Sequence, residues 1–114
     1  MSISRARVLL LIQEARGVLL KLQEEVSHSL ALAVEGNLHH LSDSRSRAEL
    51  IRIPTAGSSS AYAAAVDALD KLRRIDPSRQ ARQLAPILDN ATNSIRILVQ
   101  SFSDDDGFGG PRIG

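Results

Sequence analysis

Between Val8 and Ala33 the apolar residues fall on an alternation of four and three: Val8, Ile12, Ala15, Leu19, Leu22, Val26 and Ala33, with Ser29 in the single broken slot. That spacing keeps one apolar stripe on one side of an α-helix, whereas a strand needs a period of two. The same alternation recurs without a break over Ala81, Leu84, Leu88, Ala91, Ile95, Leu98 and Phe102. A shorter set, Ala61, Ala65, Ala68, Leu72 and Ile75, lies between them. Each stripe must be buried, and stripes of this period bury one another by packing side by side. The expected fold is therefore all-α. It is a small antiparallel helical bundle with one long N-terminal helix and two further main helices.

Local signals give provisional boundaries. The first helix is expected over residues 3 to about 35, a rod of about 45 Å, with Gly36-Asn37 as its stop. Residues 36–57 show no clear period. Ser42-Asp43-Ser44 is a candidate cap for a short helix through Ile53, and an extended Leu50–Ile53 is the alternative, because Ile53 precedes a proline. One of Ser58, Ser59 or Ser60 should cap the second main helix, which runs to about Ile75. Asp76-Pro77 signals the start of the third, expected to end near Phe102, with a kink at Pro86 where a backbone donor is missing. Residues 1–102 thus form the expected bundle domain. Residues 103–114, with three consecutive aspartates and four glycines, form an expected disordered tail.

Composition agrees with close-packed helices. Apolar residues make up 43% of the chain, yet there are only two Phe, one Tyr and no Trp. A core of Leu, Ile, Val and Ala lets helix backbones approach closely and suits sheets poorly. The five-residue run Val8–Ile12 is too short for a signal core or a membrane span, so no membrane insertion is expected. Arg5, Arg7 and Arg16 have the look of a mitochondrial presequence, but Glu14, Glu24 and Glu25 oppose it, and the cytoplasm is the expected location. Cysteine is absent, so disulfides and thiolate chemistry are excluded.

The remaining chemistry is sparse. Glu25 and His28 have the Glu-x-x-His spacing of di-iron bundles, but no second such pair accompanies them, and His28 points away from the seam. Glu35, His39 and Asp43 would share a face only if the first helix continued past Gly36; His39 and His40 are read as loop histidines. No serine sits in a nucleophile elbow, and Gly107–Gly110 has no strand or helix to make it a phosphate loop. No enzyme activity, metal or cofactor is expected.

Two surface features remain. Arg73, Arg74, Arg79 and Arg82 cluster at the corner between the second and third helices, with a second group at Arg45, Arg47 and Arg52. They make an alternative nucleic-acid patch, typical of a small nucleic-acid-associated subunit. However, the net charge is only +1, and Asp67, Asp70, Asp76 and Asp89 stand nearby to pair with them. The stronger feature is apolar surplus. Leu9, Leu20 and Ala31 recur every eleven residues about 100° from the first seam, with Leu10 and Leu32 further round, and Ile97 lies off the third seam. A helix with two apolar stripes is either central in its own bundle or shared with another subunit, and with only two other long helices expected, burial against another subunit is favoured. The expected function is a non-enzymatic interaction module that oligomerises or docks a protein partner through helix 1, a homodimer being favoured.

Overall fold

The computed structural model describes residues 4–50 and 59–106, with side chains through Phe102. Among these residues there are four helices and no strand: α1 (Arg5–Gln23), α2 (His28–Ala48), α3 (Ser59–Arg73) and α4 (Ala81–Asp106). The helical bundle is as expected; its boundaries differ in one instructive way. The long N-terminal helix is two helices.

The break falls at residues 24–27, without glycine or proline. Ser4 starts α1, its hydroxyl accepting from the Arg7 amide at 3.3 Å. At the other end, the amides of Glu24 and Glu25 donate to the carbonyls of Lys21 and Leu22, three residues back, at 3.2 and 2.9 Å. Such tightened bonds satisfy end carbonyls and close a helix. Ser27 then takes an extended conformation (φ −63°, ψ 161°), and its carbonyl opens α2 by accepting from Ala31 at 2.9 Å.

Packing explains why the chain turns here. Continuing the first seam at its own phase would bring Ser29, Gly36 and His40 inward. Moved by one residue, the four-three alternation collects Leu30, Val34, Asn37, Leu41, Ser44 and Ala48 instead, and these are the buried residues of α2. The stripe changes phase, and one straight helix cannot present both phases to one core. Consequently α2 runs straight through Gly36-Asn37, the expected stop, and through the expected cap at Ser42–Ser44. Both glycines of the hairpin stand in open space, so nothing about packing requires them.

The other boundaries are nearer expectation. α3 begins at Ser59 and ends two residues before Ile75, which lies half-buried in the link. Asp76 does cap, but it caps a single turn: its carboxylate accepts from the Ser78 amide at 3.0 Å and the Ser78 hydroxyl at 2.7 Å. The Gln80 carbonyl starts α4 by accepting from Gln83 and Leu84. α4 continues unbroken past Pro86 to Asp106, taking in the first four residues of the expected tail. Expectations for Ile51–Ser58, including the extended alternative and Arg52, and for residues 107–114 lie outside the described residues.

The helices pair as two antiparallel hairpins, α1 with α2 and α3 with α4. α2 lies along α4, and α1 meets α3 over a shorter stretch. Their seams close one core, in which Val8, Leu30, Val34, Leu88, Leu98 and Phe102 are wholly buried. The expected inward residues of α4 from Leu84 to Phe102 all lie in it, as do Val8 to Leu22 of α1. Val26, in the turn, and Ala33, past the phase change, are only half-buried.

Candidate interaction surface

Two hydrogen bonds set the register of the first hairpin. Gln23 Nε2 donates to the Ala31 carbonyl at 3.5 Å, and Arg5 Nη1 donates to the Glu49 carbonyl at 3.2 Å. Residue 23 therefore lies near 31 and residue 5 near 49, which brings Arg16 within about a helical turn of Leu38. Beside its buried seam each helix carries a second four-three row. On α1 this is Leu9, Gln13, Arg16 and Leu20; on α2 it is Ala31, Glu35, Leu38, Ser42, Arg45 and Glu49. Where the rows approach the open end of the hairpin they bound a groove of about 510 Å³. Leu9, Ile12 and Leu41 form its apolar floor, and Gln13, Arg16, Ser42, Arg45, Ser46 and Glu49 its polar walls.

The break in the expected rod rearranges the five candidate interface residues. Leu9 is half-buried in the groove and Leu20 is 46% exposed one turn beyond Arg16. Ala31 no longer extends their line; the turn folds it back beside Gln23. Leu10 and Leu32, 55% and 57% exposed, point from the backs of α1 and α2 and do not join the groove. Sequence reasoning missed Leu38, Glu35 and Arg45 on the facing row. The signal was the phase change after Val26, which marks a second helix with its own two rows.

A second, polar groove of about 860 Å³ runs between α2 and α4, lined by Asn37, His40, Pro86, Asp89, Asn90, Thr92, Asn93 and Arg96. Asn37 occupies a seam position of α2. Its buried amide donates to the Ala33 carbonyl at 2.9 Å and across to Asp89 Oδ1 at 3.2 Å. Arg96 donates to Asn93 at 2.6 Å. The groove's one carboxylate is thus engaged in holding α2 to α4, a role that polar seam residues play in setting helix register.

The histidines lie on the outer surface. His28 opens α2 while Glu25 stays in the turn, so the two do not share a helix. Glu35, His39 and Asp43 do share an exposed face, because α2 continues where a loop was expected. No group of three or more histidine or acidic side chains among the described residues is placed to hold a metal ion.

Two of the four corner arginines, Arg73 and Arg82, have side-chain partners among the described residues. Arg73 reaches Glu14 of α1 at 3.6 Å and Asp70 at 3.8 Å, and Arg82 donates to Gln80 at 2.9 Å. Asp67, expected to pair with these arginines, instead meets Lys71 at 3.4 Å. The two Ser78 hydrogen bonds, with some help from Arg79, hold the Asp76 carboxyl below its ordinary range. No helix is long and apolar enough to cross a membrane among the described residues. Comparison with protein-family models, curated proteins and solved structures finds no match for this chain.

Proposed function

We propose that this protein is a non-enzymatic interaction module whose docking surface is the outer face of the α1–α2 hairpin. One observation carries the reading: the apolar surplus is concentrated there. Leu10, Leu20 and Leu32 are each about half exposed, and Leu9 is only partly covered, whereas α3 and α4 leave only Val66 and Ile97 out. Burying a leucine is worth about 1.5–3 kcal/mol, so a face carrying several has a standing drive toward a covering partner.

A pair of variants tests this. Leu20→Glu should leave helix content and melting temperature nearly unchanged while abolishing association, because residue 20 is outside the core. Leu22→Glu, two residues on, should unfold the monomer, since its side chain is 6% exposed and the charge would have no partner. Circular dichroism and sedimentation velocity read the two effects separately. A Leu20→Glu chain that associates as the unmodified one does removes this face as the docking surface.

A further inference from the structure

We infer that the occupant of the hairpin face is a second copy of this chain, related by a twofold axis that runs parallel to the helices and sets α1 of each copy over α2 of the other. The inference rests on the docking reading above and names its partner. It comes from the charges and register of the two surface rows.

Arg16 and Glu35 stand exposed on this face, and neither has an ion-pair partner among the described residues. The two rows together carry two positive and two negative side chains, Arg45 and Glu49 already meeting each other at 3.7 Å. A balanced face is the kind that tolerates itself, since a twofold contact opposes the same patch to itself. A strongly acidic or basic partner would leave one sign unmatched.

Register then selects the arrangement. With the axis parallel to the helices, heights are preserved, so Arg16 of one copy lies within about a turn of Leu38 of the other. Glu35 is three residues away along α2, about 4.5 Å of axial rise, within reach of both side chains. Leu20 lands between Ala31 and Leu38 of the second copy, covering its exposed part. With the axis instead crossing the helices at their midpoints, α1 would lie on α1, and Arg16, two residues from that midpoint, would come within about 6 Å axially of its own copy. Like charges opposed so closely disfavour that alternative.

The area is adequate. The hairpin face is about 30 Å long and, two helices wide, about 20 Å across, or about 1,200 Å² counted over both copies. Specific interfaces begin near that value, so a concentration-dependent dimer is expected.

A charge swap read by sedimentation equilibrium on the full chain tests the arrangement. Arg16→Glu and Glu35→Arg should each weaken dimerisation about tenfold, by opposing like charges, and the double variant should restore it. Circular dichroism confirms that each variant stays folded. If the double variant remains as weak as the singles, or the unmodified chain stays monomeric at the highest concentration it tolerates, the inference is overturned. A dimer insensitive to the swap but lost in Leu20→Glu overturns this arrangement and keeps the docking face. A dimer insensitive to both overturns the face as well.

Discussion

The two hairpins are built to the same plan and finished differently. In the second, α4 buries an unbroken apolar seam from Leu84 to Phe102, and its turn is marked by Asp76-Pro77. In the first, the seam of α2 carries Asn37 and Ser44 in two of its six inward positions, and the turn carries no marker residue at all. The second hairpin also hides its apolar residues better. A hairpin that packs its seam with polar residues and leaves leucines outside is poorly explained by the fold alone. The contrast lies in α2 rather than α1, whose six buried residues join the seven buried apolar residues of α4 in the core.

The largest effect should come from breaking the better-packed half. Phe102→Ala removes a wholly buried aromatic ring from the end of the α4 seam and should cost about 3–5 kcal/mol, seen as a lowered denaturation midpoint. Asn37→Ala, at a seam position of the first hairpin, should cost only about 1–2 kcal/mol. It removes a buried donor, but the exposed Asp89 can turn to water. If Asn37→Ala proves as costly as Phe102→Ala, the first hairpin contributes more to the core than its seam implies.

Smaller changes sharpen the contrast from the other side. Gly17→Ala and Gly36→Ala lie in helix interiors where an added Cβ meets nothing within 4 Å, so each should stabilise by about 0.5–1 kcal/mol. The first hairpin is thus improvable in a way that α4 is not. A loss of stability at either glycine would show a close approach of backbone that the monomer does not contain.

The smallest effects belong to the corner between α3 and α4. Arg73→Ala should cost no more than about 0.5 kcal/mol, because both of its ion pairs are solvent-exposed. The same corner should bind neither DNA nor RNA at physiological salt; an anisotropy titration showing micromolar, salt-sensitive binding would reverse that expectation. Asp76, whose folded pKa lies below its unfolded value, stabilises the second turn at neutral pH. That contribution is complete above about pH 5 and is lost as pH falls below 4 through the folded pKa. The difference in melting temperature between the unmodified chain and Asp76→Asn should therefore be small at pH 7 and vanish in acid.

What was legible in the sequence was what local spacing controls. The three-four alternation of Val8–Leu22 and Leu84–Phe102 determined the all-α class and both core faces, because helical period and burial are properties of neighbours along the chain. The start of α3 near Ser59 and the cap at Asp76 were readable for the same reason. The break in the first rod is marked in the sequence only by the change of phase after Val26, and the tertiary structure decided that the chain turns there. Glu24–Ser27 contains no residue that must end a helix; the turn forms because the apolar stripe shifts by one position, and only folding back lets both phases reach one core. That fold also decided the candidate surface. Along a single rod Leu9, Leu20 and Ala31 would form a stripe about 33 Å long, but the hairpin sets Ala31 beside Gln23 and brings up the α2 row of Glu35, Leu38 and Arg45 beside the α1 row of Leu9, Arg16 and Leu20. Spacing tells which residues share a helix face, and only packing tells which faces meet.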